Sequence, residues 1–229
     1  MKILSWDVGI YNLSYCILEK LEDSPEIKII DWDIVNLVDN EELKKNRNLL
    51  FENIPRKLHE KPQLLNVDVV VIENQPSLKN PQMKSIQMIL YSYFLILGKV
   101  IGNGENTTSY IDKIDFCSAS NKLKIYDGPP IILEEKKKRC VTKKDKNIEE
   151  NLQENVEEKS QEIKKKSSAI KYGDKKKLAI EHAKYFLKDN LNYMDFFMNH
   201  KKKDDLSDSF LQGLYYFKNI NKEIKNKKY

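Results

Sequence analysis

The sequence predicts an α/β fold on a mixed five-stranded sheet, and three observations carry that prediction. Three β-prone runs crowd the first 37 residues, KILSWDV, NLSYCIL and IKIIDWDIVNL, separated by the short GIY link and the turn-like DSPE. A nearly unbroken Val/Ile run, VDVVVIENQP, comes later without the alternation of a half-exposed strand, so it belongs between neighbours and covered on both faces, as parallel strands are. Segments of helical period then separate and follow the remaining strand.

The first two runs, residues 2–8 and 12–18, read as an antiparallel hairpin, and the third, 27–37, as the next strand of a meander. LKKNRNLLFENIPRKL is expected to be one helix, with Leu43, Leu50, Ile54 and Leu58 in phase and its end blurred by Pro55. After the Val/Ile strand, Asn80 and Pro81 mark a helix start, because proline at the first helical position forgoes no hydrogen bond. Met83, Ile86, Ile89, Leu90, Tyr93, Phe94 and Leu97 line that helix, with Gly102 as its terminator. Its run SIQMILYSYFLILGKVI is interrupted by Gln87, Ser92, Tyr93 and Lys99, and reads as a buried helix rather than a membrane span. KIDFCSASNKLKIY gives the fifth strand and a loop.

From about residue 129 to 168 the chain turns to lysine and glutamate with few aromatics, the composition of a flexible insertion into an otherwise single domain over 1–229. Two helices are expected after it, KKKLAIEHAKYFLKDNL and DDLSDSFLQGLYYFKNI. A formal charge of +5 is compatible with a polyanionic partner without requiring one. Cys16, Cys117 and Cys140 are odd in number and far apart, which supports neither a disulfide framework nor a zinc site; an intracellular, reducing setting is expected, with no leader peptide at MKILSWDVGI.

Four carboxylates draw notice. Asp7 sits inside a strand pattern, where aspartate is disfavoured and a buried unpaired carboxylate costs several kcal/mol. Glu73 closes the most apolar strand of the chain. The ordinary reading makes Asp7 a turn former before Gly9 and Glu73 a surface acid. Asp205 and Asp208 stand three apart at the head of the last helix, hence on one face, beside the apolar stripe Leu206, Phe210, Leu214 and Phe217. Asp204 reads as the N-cap, and acids in a first turn are favoured by the helix dipole, but that accounts for one or two acids and not for all four. If the four converge, their repulsion calls for hard divalent cations, Mg²⁺ or Mn²⁺, and a pair of such ions suits phosphodiester hydrolysis. His59, His182 and His200 stand singly, and only His200 lies next to the acidic helix in sequence.

SWDVGIYNLSYCIL, VVVIENQPSLKNPQMKSIQMILYSYF, FCSASNKLKIY and KKDDLSDSFLQGLYYF, in this order, resemble the Holliday junction resolvases of poxviruses and other large DNA viruses. These are related to the bacterial RuvC and fungal mitochondrial resolvases within the RNase H-like superfamily. The resemblance implies three antiparallel strands followed by parallel ones, and Asp7, Glu73, Asp205 and Asp208 as ligands of two Mg²⁺ ions, with Asp204 as the substitute for Asp205 if the helix register shifts. It also implies a homodimer cutting opposed strands of a four-way junction, with the helix from Asn80 to Gly102 as core or as part of the dimer or junction-facing surface. Lys122 or Lys124, or the cluster Lys175, Lys176 and Lys177, would meet developing charge at the phosphate. An RNase H-type nuclease on other nucleic acids and a non-catalytic junction binder are the alternatives. An actin-like ATPase is disfavoured, because DVG occurs once and seven glycines leave little for a nucleotide loop, so no nucleotide cofactor is expected.

Overall fold

The computed structural model describes residues 1–21, 24, 26–101, 111–131, 133 and 172–226. The charged insertion, past its first residues, lies outside the described residues, as do Gly102 and Cys140. Five strands, β1 (Lys2–Val8), β2 (Asn12–Lys20), β3 (Ile27–Asn36), β4 (Val69–Asn74) and β5 (Lys113–Ser118), form one sheet in the order β3-β2-β1-β4-β5. The first three pair antiparallel, and β4 lies parallel to both β1 and β5, as the unalternating Val/Ile run required. At the β1–β2 link, a Cβ on Gly9 would collide with the Asn12 carbonyl, so only glycine closes that corner.

Two helices replace the single one expected after β3: α1 (Glu41–Lys45) and α2 (Arg47–His59). Asn46 ends the first and caps the second, accepting from Asn48 N at 3.1 Å and Leu49 N at 3.3 Å. The apolar phase survives this break, since Leu50, Ile54 and Leu58 are all buried. Pro55 does not end α2, which runs on to His59 with one backbone hydrogen bond fewer. α3 (Pro81–Phe94) begins as expected, with the Asn80 side chain accepting from Met83 N at 3.2 Å, and widens into a π-helical stretch over Leu95–Ile101. Pro81–Ile101 is long and apolar enough to cross a membrane by length and composition; about a third of it is buried, Ile86, Leu90 and Phe94 completely, while Met88, Ile96 and Val100 are exposed.

The carboxyl-terminal part holds three helices where two were expected: α4 (Tyr172–Leu187), α5 (Leu191–Asn199) and α6 (Lys203–Asn226). The helices form two layers about the sheet. Leu4, Trp6, Val70 and Ile72 face α2 and α3, and Ile3, Val69 and Val71 face α4, α5 and α6.

The seat of α6 sets the position of everything carried on its first turns. Gln212 Nε2 donates to Ser5 Oγ at 3.1 Å and to the Trp6 carbonyl at 3.0 Å, and the Ser14 and Ser209 hydroxyls meet at 2.8 Å. Trp32 donates from Nε1 to the Leu206 carbonyl at 3.1 Å and stacks on Phe197, ring centres 5.4 Å apart at 11°. Gly213 lies so close to the sheet that a Cβ there would meet Leu18 Cδ1 at 2.7 Å and Ser5 Cβ at 3.2 Å. Gly213→Leu is therefore expected to lower stability in urea denaturation by about 1–3 kcal/mol through overpacking. The exposed Lys124→Ala should stay within about 0.5 kcal/mol of the parent.

Candidate active site

Asp7 is the last but one residue of β1 and pairs with Ser14, so it belongs to the strand rather than to the following turn. Glu73, on the adjacent parallel β4, pairs with Cys117 of β5. Strand alternation points both side chains to the face that α6 covers, on the same side as Ile3, Ser5, Val69 and Val71. Asp208 comes down onto that face from the second turn of α6.

The three acids meet on one ammonium group. Lys122 Nζ lies 2.7 Å from Asp7 Oδ1, 2.9 Å from Glu73 Oε1 and 3.0 Å from Asp208 Oδ2. Its side chain is only 5% exposed, against 14% for Asp7, 9% for Glu73 and 31% for Asp208. Lys122 rides on a 3₁₀ segment, Ala119–Ile125, directly after β5; its three-residue turn sends Lys122 inward while Lys124 stays exposed and donates to Asn121 Oδ1 at 2.7 Å. Of Lys122 and Lys124, only Lys122 reaches the acids.

Asp205 makes no ion pair with Lys122 among the described residues, but it lies within the electrostatic field of the cluster. Burial, then the charges of Asp204 and Asp7, raise its pKa. Asp204 is drawn the other way. Burial raises it, yet the 2.5 Å pair with Lys176 and nearby backbone N–H groups outweigh that and lower its pKa. Because α6 starts at Lys203, Asp204 lies in its first turn and is not the N-cap, and its carboxylate pairs with Lys176. The Lys175–Lys177 cluster is inside α4, not at its start, with Lys177 paired to Asp174 at 3.6 Å. His200 accepts from Lys202 N at 3.0 Å, and His182 is buried in a stack on Tyr126, centres 4.0 Å apart.

Two residues that the sequence reading passed over orient Glu73. Gln75 Nε2 donates to Glu73 Oε2 at 2.6 Å, so the two carboxylate oxygens are held by different partners, and Gln87 Oε1 accepts from Gln75 N at 2.8 Å. Gln87 is fully buried within an otherwise apolar stripe, and a polar side chain at a core position was the signal available for it.

Among the described residues, no group of three or more His, Cys, Asp or Glu side chains stands ready-made around a metal position. The chemistry of the donors nevertheless fits a hard divalent cation: oxygen-only carboxylates, three of which already reach a single positive centre. Asp7, Glu73 and Asp208 would hold it, with Asp205 alongside.

Burial first, and then the charge of Asp7, push the Glu73 carboxyl up to about 7, against the opposing pull of Lys122. Asp208 moves in the same direction, by burial and by Asp7. For Lys122 burial disfavours the charge, but the three acids more than offset it and hold the ammonium protonated. A carboxyl whose pKa is raised by folding keeps its proton better in the native state, so its stabilisation is present below the unfolded value of 4.5 and is lost as pH rises through about 7. Urea unfolding in EDTA should accordingly show a loss of about 1–3 kcal/mol between pH 5 and 8, and Glu73→Gln should flatten that slope.

Residues 1–101 match the family model described as Poxvirus A22 protein. Protein L451 of Acanthamoeba polyphaga mimivirus is 35% identical over 166 residues, 72% of this chain and 32% of that protein; the chain thus spans about a third of that relative's length. The fowlpox virus resolvase, solved with Holliday junction DNA, superimposes with a TM-score of 0.55 at 20% identity, covering 96% of this chain and 99% of that one. The yeast mitochondrial Holliday junction resolvase gives 0.53 at 17% identity, over 93% of this chain and 78% of that one. At such identities the likeness to the solved structures is one of fold. The chain thus matches the Poxvirus A22 protein model over its amino-terminal 101 residues, and its mixed sheet with helical layers shares the fold of these two solved resolvases.

Proposed function

We propose that the chain is a structure-selective endonuclease that resolves four-way DNA junctions by hydrolysing phosphodiesters with Mg²⁺, for which Mn²⁺ substitutes. One observation carries the reading. Acids from β1, β4 and α6, elements far apart in sequence, are brought onto a single cation position at the edge of a resolvase-type fold. No structural demand of the fold requires three carboxylates there. Their mutual repulsion disfavours the metal-free state and favours a divalent ion.

Asp7, Glu73, Asp205 and Asp208 would hold the ions. When bound, the ions supply the positive charge that activates water and stabilises the leaving oxygen. The protein's own part is orientation and charge. Gln75 fixes the second oxygen of Glu73, α6 fixes Asp208 through its seat on β1 and β2, and the Lys122 ammonium would meet a phosphate oxygen on leaving the carboxylates. Exposed lysines, among them Lys124 and Lys175, contact phosphates without reading sequence, so affinity falls steeply with salt.

Two copies acting on opposed strands require a dimer, and the outer row of α3 offers a surface for one. Met88, with Ile96 and Val100 in the π-helical stretch that continues α3, is exposed, and Met88 and Ile96 border an apolar groove completed by Pro55, Ile89 and Leu97. Light scattering is expected to give a dimer for the parent chain and a monomer for Ile96→Glu.

The decisive comparison offers a mobile four-way junction, a linear duplex and an RNA–DNA hybrid in Mg²⁺. Preferential cutting of the junction is expected, whereas preference for the hybrid would replace this reading with an RNase H-type one. Asp7→Asn and Asp208→Asn should each slow cleavage by roughly a hundredfold or more while leaving junction binding in Ca²⁺ within about threefold. Undiminished cleavage by both variants would reject the assignment, and junction binding without cleavage by the parent would leave a non-catalytic binder.

A further inference from the structure

A lysine that touches three carboxylates is an unusual partner for a metal site, because the ammonium and a divalent ion compete for the same oxygens. Lys122 Nζ lies 2.7–3.0 Å from Asp7, Glu73 and Asp208, the reach within which a cation attracts all three. It is almost wholly buried, and it arrives from a different element than any of the acids. Its backbone is tied down on both sides: before it, Cys117 is buried and paired with Glu73 in the sheet, and after it Ile125 is buried in the core beneath α6, while Tyr126 stacks on His182 of α4. The freedom left to Lys122 is therefore that of its four-carbon stem, which carries a compact point charge and can trade one anionic partner for another without moving the fold.

We infer that Lys122 is an exchangeable counter-ion that occupies the carboxylate cluster in the free protein and is drawn off by the phosphate of bound nucleic acid, so that substrate binding opens the cluster to divalent cations. The inference rests on the metal-dependent reading of the site and adds regulation to it. In the free protein the ammonium neutralises one of the charges that a divalent ion would otherwise neutralise, and metal affinity is correspondingly low. A phosphate brought to the cluster repels the carboxylates and attracts Lys122, and departure of the ammonium leaves three converging acids for the metal. Coupling of this kind is reciprocal, since whatever factor the nucleic acid adds to metal affinity, the metal adds to nucleic-acid affinity. An enzyme so built holds its metals only where there is DNA to cut.

Calorimetric titration with Mn²⁺, using the full chain with and without a four-way junction whose integrity after the titration is checked on a denaturing gel, separates the alternatives. The parent protein should bind Mn²⁺ at least tenfold more tightly when the junction is present. Lys122→Met should bind Mn²⁺ at least tenfold more tightly than the parent in the absence of DNA, and the junction should add little more. Its thermal midpoint should fall in EDTA and recover with Mn²⁺, which keeps the test usable for a variant that unfolds without metal. Equal Mn²⁺ affinity of variant and parent, with the junction enhancing both alike, overturns the counter-ion role and leaves the metal reading standing. A parent that takes up no Mn²⁺ even with the junction overturns both.

Discussion

The distance at which the last helix lies from the sheet governs the whole arrangement. Asp208 reaches the corner occupied by Asp7 and Glu73 because α6 rests nearly on the strand backbone, with Gly213 against Leu18 and Ser5 and with serines, not larger residues, at Ser5, Ser14 and Ser209. Small side chains at such a contact allow close approach, and hydroxyls there keep their hydrogen bonds by pairing with one another. The Gln212 amide ties the helix to the Trp6 carbonyl of β1, next to Asp7 itself. Trp32, clamped to the Leu206 carbonyl and packed among Phe197 and Phe210, fixes the same helix at its start. The position of the acidic turn is thus set by packing and by directional bonds on both sides of Asp208.

Given that placement, the electrostatics follow. Burial first, and the negative charge of Asp7 after it, raise Glu73 and Asp208 against the opposing pull of the one ammonium they share. A buried charge network of this sort is costly to assemble and is poor evidence of a purely stabilising role, since apolar side chains of similar volume would serve stability as well or better. Lysine in place of arginine is consistent with this balance. A flexible point charge satisfies three acids from different directions, whereas a planar guanidinium is suited to one or two.

Much of this was legible in the sequence, because several residues stand against the preference of their surroundings. Asp7 within ILSWDVGI and Glu73 at the end of an all-apolar strand violate local propensity, and the structure puts both on the face beneath α6. The parallel placement of β4 could be read from its unalternating valines. The break at Asn46 could not, because the apolar spacing stays in phase across it and only the capping side chain marks the new start. Helix α5 escaped notice because its nine residues are too few to display a period of their own. Choosing between Lys122 and Lys124 required the 3₁₀ geometry, which a run such as NKLKIY does not announce. The partnership of Asp204 with Lys176 joins two helices separated by stretches that carry no pattern linking them.

The seam between β1 and α6 joins the two extremes of the described chain, the Gln212 to Ser5 bond closing a span of 207 residues. Contacts so remote in sequence form late, after the sheet and the nearer helices have taken shape, because closing a large loop is entropically unfavourable until other structure shortens it. During synthesis the ribosome has released Asp7 and Glu73 long before Asp208 emerges. A chain cut short before α6 therefore carries only an incomplete set of acids, and the cluster about Lys122 cannot form until α6 has been made.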